Sequence, residues 1–298
     1  MKVLKVIMSI WWEVQHMNKL LSANFSRMKK DKIFWIGIAF MLCLGIFSNI
    51  LYYKQNIQYP EYPITLDMGF FTPAMFIGII ASVFCSLFIG TEYSDGTIRN
   101  KISVGHSRTI IYLSNLIVCI TACILMCLTF TVVYTAIGYF HLGWFKADLK
   151  TIFIFLIAML MIVVSNCAIF TLISMLNQNK AISAVVCILL AFGMLFSGTY
   201  ISSMLNEPKT NEPKTYESSY VNEEGQLVTG EAEPNPNYVG GMKRKAYEFI
   251  NDFLPGGQSV QTANMSTKRP EIFILYSSVI LVVTTSAGAL IFRKEDLK

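Results

Sequence analysis

Between Glu92 and Asn115 the chain reads EYSDGTIRNKISVGHSRTIIYLSN, which sets the carboxylates of Glu92 and Asp95 close to the cations of Arg99, Lys101 and Arg108. Such side chains make charge-assisted hydrogen bonds, to one another or to a second polypeptide. Asp95-Gly96 is a turn signal, Ile98 to Val104 is long enough for about two helical turns, and Gly105 can end them in a left-handed conformation. A helix of this kind, held rigidly between two larger elements, would transmit force from a bound protein. The plainer reading is a connecting loop whose cations serve only topology.

Other reactive side chains point away from catalysis. Cys119, Cys123 and Cys127 share a helix face at i, i+4 and i+8, a spacing that suggests a metal track. They have no His or acidic company, so small packing residues are the better reading and no metal site is expected. The three histidines, His16, His106 and His141, lie outside the apolar runs, and no H-E-x-x-H occurs. There is also no G-x-x-x-x-G-K-[ST], nor even a Gly-Lys dipeptide. No catalytic residue and no cofactor is expected in this chain, so any energy source must be another polypeptide.

The elements around these residues are membrane spans. Six apolar runs with uncharged centres, at 33–52, 69–90, 110–139, 151–176, 181–201 and 272–292, are each about 20 residues or longer, enough to cross a hydrocarbon core of about 30 Å as a helix. Hydrophobic residues make up 54% of the chain and charged ones 14%, against roughly 25% charge in a soluble domain. An ion-coupled carrier usually places an ionisable residue inside a span, and no span centre holds one. The small residues Ala74, Gly78, Ser82, Ser86 and Gly90 recur every four positions along span two. That spacing lets helices approach closely in lipid, within one subunit in preference to a dimer seam.

Basic residues fix the expected orientation. Fourteen fall in the segments that would face the cytoplasm with both termini, from Lys2 through Lys298, whereas the two short outer loops carry only Lys54, Lys146 and Lys150. The positive-inside rule then puts both ends in the cytoplasm. The net charge of +5 is mostly topology, and a nucleic-acid partner is not expected.

The first span begins too late, and behind too many basic residues, for a cleaved signal peptide, so it is expected to stay attached. Before it, Val3, Ile7, Trp11, Val14, Met17, Leu21, Phe25 and Met28 recur at helical spacing, with Trp12 beside Trp11. This reads as an amphipathic elbow helix over 1–32, anchored on membrane lipid and able to touch a partner. The segment 202–270 would lie outside. Its first part, Asn206 to Tyr238, repeats NEPKT and is too polar to bury a core. Met242, Ala246, Tyr247, Phe249, Ile250, Phe253 and Leu254 then mark a short amphipathic helix over 241–254, a lid on the bundle or a contact for cargo, which Pro255-Gly256-Gly257 stops. The expected fold is an all-α integral membrane protein, with spans one to five and the 91–109 connection in residues 33–201, and span six with its tail in 271–298.

Four stretches carry a resemblance. Glu92-x-x-x-Gly96-Thr97 followed by Gly105-x-Ser107-Arg108 resembles the inner loop of ABC exporter permeases of the second type, which export antibiotics and polysaccharides. The opening LLSANFSRMKKDKIFWIGIAF, the FLPGGQSVQTAN stretch at 253–264 and the ending FRKEDLK are similar to that family in the same order. Pro, common in that family after the loop's second glycine, is replaced here by His106, and the polar insert is longer than in many members.

The resemblance implies a permease subunit of an ATP-driven exporter in the bacterial plasma membrane. Two permease copies, identical or related, would pair with two copies of an ABC ATPase that binds ATP and Mg. Glu92, Asp95, Gly96, Thr97, Arg99, Lys101 and Arg108, with the elbow, would couple to that ATPase, and the end of span five that holds Ala184, Ala191 and Gly198 would meet the second copy. A path lined by Tyr134, Thr135, Ser165, Asn166, Thr171 and Ser174 would suit an amphipathic or hydrophobic cargo such as an antimicrobial peptide, a drug or a lipid-like molecule, although hydroxyls in membrane helices often bond their own backbone. The alternative is a membrane sensor or immunity protein that binds an extracellular peptide without moving it.

Overall fold

The computed structural model describes residues 17–210, 219–221, 227–229 and 234–295. Trp11, Trp12 and the elbow positions before Met17 lie outside them. Helix α1 covers 17–30 and breaks at Asp31, whose extended backbone lets its side chain accept the Ile33 N–H and cap α2 (Lys32–Gln58). Trp35 Nε1 donates to the Lys29 carbonyl across the break, so a carbonyl of the last α1 turn keeps a partner.

Five further long helices follow. The short α3 (Asp67–Phe70) leads into α4 (Pro73–Ser94), and α5 (Thr97–Ser103) separates α4 from α6 (Arg108–His141). Then come α7 (Leu149–Leu176), α8 (Lys180–Asn206) and, after the insert, α11 (Glu271–Lys294). Among the described residues six segments, Asp67–Ser94 counted as one, are long and apolar enough to cross a membrane. The first runs past the expected residue 52 to Gln58 because Asn56 clamps the Ile64 backbone, donating to its carbonyl at 3.0 Å and accepting its N–H at 2.6 Å.

α4 is the centre of the bundle, packed along α7 and α8 and also against α6, α2 and the later helix at Pro255–Ala263. Its small-residue stripe permits this. Ala74, Ser82 and Ser86 are fully buried, and a Cβ on Gly90 would come within 2.8 Å of the Lys180 side chain at the start of α8. The serine hydroxyls return to their own helix, Ser82 to the Ile79 carbonyl and Ser86 to that of Ser82. Cys85, Cys119, Cys123, Cys127, Cys167 and Cys187 are buried free thiols in the same core.

The insert departs from its sequence reading in two places. A three-residue antiparallel ladder pairs β1 (Ser219–Val221) with β2 (Leu227–Thr229), where only an unordered polar stretch was expected. The Tyr-Val and Leu-Val pairs are strand formers flanking a polar turn sequence, a local signal that overall composition hides. Pro255-Gly256-Gly257 does end α9 (Gly241–Phe253), but it also opens a second helix, α10 (Pro255–Ala263), with Pro at its first turn where the missing N–H costs nothing. α10 is buried against α8, α4 and α7.

Candidate functional site

The last turn of α4 gathers polar partners from around the bundle. Glu92 is fully buried. Its Oε1 forms ion pairs with Arg27 of α1 and Lys101 of α5, and its Oε2 accepts Asn115 Nδ2 of α6 at 2.8 Å. Asn24, one turn before Arg27, closes the network: its Nδ2 donates to Ser114 Oγ and Asn115 Oδ1, both at 2.9 Å, and its Oδ1 accepts from Lys101 Nζ at 3.0 Å. One carboxylate thus joins four helices. The Arg27 guanidinium also lies over the Phe88 ring, 3.7 Å from its centroid, which desolvates the cation on a second side.

Neighbouring residues of the same turn reach the remaining helices. Thr91 Oγ1 accepts from Lys180 Nζ of α8 at 2.8 Å, and the Tyr93 hydroxyl donates to the Met175 carbonyl at the end of α7. Arg108, at the start of α6, donates to the Phe292 carbonyl at 3.2 Å and to that of Glu295, tying α6 to the end of α11. This end of the bundle, which holds α1, α5 and the end of α11, is a polar clamp.

The coupling residues expected from sequence separate into two sets here. Glu92, Lys101 and Arg108 are consumed by bonds within the chain. Burial pulls the Lys101 ammonium below its usual 10.5, and Glu92 works against that shift. Asp95, Arg99, Asn100, Ser103 and Val104 are instead exposed, Val104 to 74%. Gly96 and Gly105 hold the ends of α5 with φ of 67° and 96°. At Gly105 the chain closes a Schellman motif, with Gly105 N–H to the Ile102 carbonyl and His106 N–H to that of Lys101. Thr97 is the first residue of α5.

Asn24 and Asn115 were not singled out as site residues, and Arg27 was counted only toward topology. The usable signal was an amide facing inward from an amphipathic helix and a second amide about two turns into an apolar one.

The residues named for a cargo path sit in closed packing. Ser165, Asn166, Thr171, Ser174 and Tyr134 are buried, and Thr135 is partly so. Ser165 Oγ and Asn166 Nδ2 both bond the Ile162 carbonyl of their own helix, and Ser174 Oγ contacts Cys187 Sγ at 3.7 Å. Beside Asn166 lies a cavity of about 10 Å³ bounded by Gly78, Ala191, Met194 and Gly256, room for roughly one water. The span-five stripe also faces inward. Ala191 and Gly198 are buried within the subunit, where a Cβ on Gly198 would meet the Gly256 backbone at 2.5 Å. These two positions therefore pack within the subunit, Gly198 against the backbone of α10.

A family model for the ABC-2 family transporter protein matches residues 20–194. That stretch runs from the second described turn of α1 through the Glu92 clamp to Met194 in α8. The chain belongs to the ABC-2 transporter family. It is a multi-pass membrane transport component, an ABC permease, of a kind that normally works with a separate ATPase subunit. Comparison with curated proteins finds no match. In this permease the Glu92 network and α5 lie inside the matched region, while α9, α10 and α11 lie beyond it.

Proposed function

We propose that the permease is the membrane-spanning half of an ATP-driven exporter, with α5 as the element on which an ABC ATPase acts. The supporting observation is the arrangement of the α4 terminus. Through Glu92, Thr91 and Tyr93 it bonds α1, α5, α6, α7 and α8, so a push on the exposed side of α5 reaches most of the bundle without passing through a flexible loop. In this reading Asp95, Arg99 and Val104 meet the ATPase, and Glu92, Lys101 and Arg108 hold the lever.

Both termini face the cytoplasm of a bacterial plasma membrane, following the basic residues. Two permease copies and two ATPase copies make the working unit, with ATP and Mg held by the ATPase. The residues named for a path are packed shut among the described residues of one copy, and α8 exposes Ile182, Val185, Val186 and Leu189. The second copy therefore supplies the other wall of a passage suited to an amphipathic or hydrophobic cargo.

The test is affinity purification of the tagged chain from its native membrane, for wild type and for Arg99→Glu with Val104→Asp. An ATP-hydrolysing subunit that accompanies wild type and is lost from the variant supports the reading. The variant should also keep its thermal stability within about 0.5 kcal/mol, as exposed substitutions do. Wild type that brings down no nucleotide-binding subunit overturns it and turns attention to the sensor alternative.

A further inference from the structure

Helix α9 is mounted in reverse. Met242, Ala246, Phe249, Ile250 and Phe253 fall at i, i+4, i+7, i+8 and i+11, one apolar face, while Arg244 and Asn251 lie on the opposite side. A lid would turn the apolar face to the bundle. Here the polar side docks: Asn251 is buried and donates to Ser202 Oγ at 3.1 Å, and Arg244 Nη2 donates to the Leu205 carbonyl at 3.0 Å, both on α8. The apolar side is left outward, with Met242 84%, Phe249 56% and Ile250 37% exposed.

We infer that this face is an interfacial anchor seated in the leaflet at the insert end of the bundle, and that Lys243 and Lys245 select anionic headgroups there. Three observations identify lipid as the occupant. Phe249 and Phe253 pack edge-on against Tyr276 of α11, with centroids 6.1 and 5.5 Å away, so the face continues onto a helix that crosses the membrane. Near Tyr276, α11 exposes Leu275 and Val279 and, one turn further, Val282 and Val283. Tyr276 is five residues into α11, about 7.5 Å below its end, which is the depth of the headgroup boundary.

Charge completes the identification. Lys243 and Lys245 are exposed and project from opposite margins of the apolar face, where ammonium groups can rise to phosphates while their stems lie on acyl chains. The acids of this helix are engaged elsewhere: Glu248 pairs with Arg244 at 3.0 Å, and Asp252 accepts from Gln261 Nε2 at 3.0 Å. The margin facing lipid is therefore net cationic. The inference rests on the chain being a membrane permease and not on its cargo or energy source.

The test places a nitroxide label at Met242→Cys in the full chain carrying Cys43→Ala, since Cys43 is the exposed native thiol among the described residues. The chain is reconstituted into phosphatidylcholine vesicles with or without phosphatidylglycerol. Labels at Val282→Cys and Glu248→Cys give the lipid and water references. Relaxation by oxygen and by a water-soluble nickel chelate on both sides of the membrane is compared. The oxygen-to-nickel ratio at 242 should lie several-fold above that at 248. It should rise with phosphatidylglycerol, and Lys243→Gln with Lys245→Gln should abolish that rise. A 242 label as open to nickel as the 248 label overturns the inference, as does one shielded from both reagents, which would mean a protein partner. A high ratio that ignores phosphatidylglycerol overturns the role of the two lysines.

Discussion

Asn115 Nδ2 reaches Glu92 Oε2 at 2.8 Å while Arg27 and Lys101 share the other carboxylate oxygen, so one buried acid holds four helices. Removing one partner of a buried ion pair strands the others and costs about 3 to 5 kcal/mol. Arg27 keeps 28% of its side chain in contact with solvent, which argues for about 3 kcal/mol, the low end of that range. Glu92→Gln and Lys101→Met should each destabilise the permease. The double variant should lose clearly less than their sum, because the two share one contact. Thermal unfolding in detergent across the four chains checks this, and strict additivity would show that Glu92 and Lys101 act independently.

Close approach of backbones fixes α10. A Cβ on Gly256 would fall 1.8 Å from the Met194 carbonyl oxygen of α8, with backbone on both sides and no flexible side chain to yield. Gly256→Ala should cost at least the roughly 1 to 3 kcal/mol of an overpacked core, through displacement of α10. Gly193 on the same α8 has open space around its Cβ position. Gly193→Ala should be neutral or stabilise by up to about 1 kcal/mol through helix propensity. Equal effects of the two alanines on unfolding would contradict the seating of α10 on α8.

The six spans were legible because a bilayer demands long uncharged runs, and a run such as Ile152 to Met175 fits nothing else. The span-two stripe was legible for a similar reason, since small residues every four positions serve close helix approach. Glu92 was harder. A carboxylate in the last turn of an apolar helix reads the same whether its cations come from α1 and α5 or from another chain, and only the fold brings Arg27, 65 residues earlier, to it. α10 was missed because Pro-Gly-Gly is both a stop for the helix before it and a start for the next, and the glycines answer to α8, which local sequence does not mention. The reversed mounting of α9 was likewise invisible: the periodicity defines two faces without saying which one docks.

Asp252 gives a pH signature to the α9–α10 corner. Burial raises its carboxyl above the usual 3.8, Gln261 partly offsets this through its hydrogen bond, and Glu248 adds to the rise. With the folded value above the unfolded one, the native state holds the proton more tightly. The associated stability is complete below 3.8 and is lost as pH climbs through the raised value. Asp252→Asn should flatten that part of the curve. Unfolding temperature followed from about pH 3.5 to about pH 7, roughly the interval in which shifted carboxylates titrate, should fall more steeply for wild type than for Asp252→Asn. Parallel curves would show that Asp252 does not titrate differently on folding.

Arg108 separates a structural clamp from a docking contact. Its guanidinium donates to the Phe292 and Glu295 carbonyls at the end of α11, where a cation also meets the negative end of the helix dipole. Arg108→Ala should cost about 1.5 kcal/mol, the lower range for a hydrogen bond from a charged group, and should speed amide exchange in the last turn of α11. Both bonds leave one nitrogen, Nη1, and a lysine ammonium carries several donors but on a differently shaped, more flexible stem, so Arg108→Lys should recover part of the protection. If Arg108 positions α11 and does not itself touch the ATPase, the variant still brings that subunit down but drives it poorly. The exposed pair Arg99→Glu with Val104→Asp fails at capture instead. Loss of capture in Arg108→Ala with exchange at 292–295 unchanged would move Arg108 into the docking surface and out of the clamp.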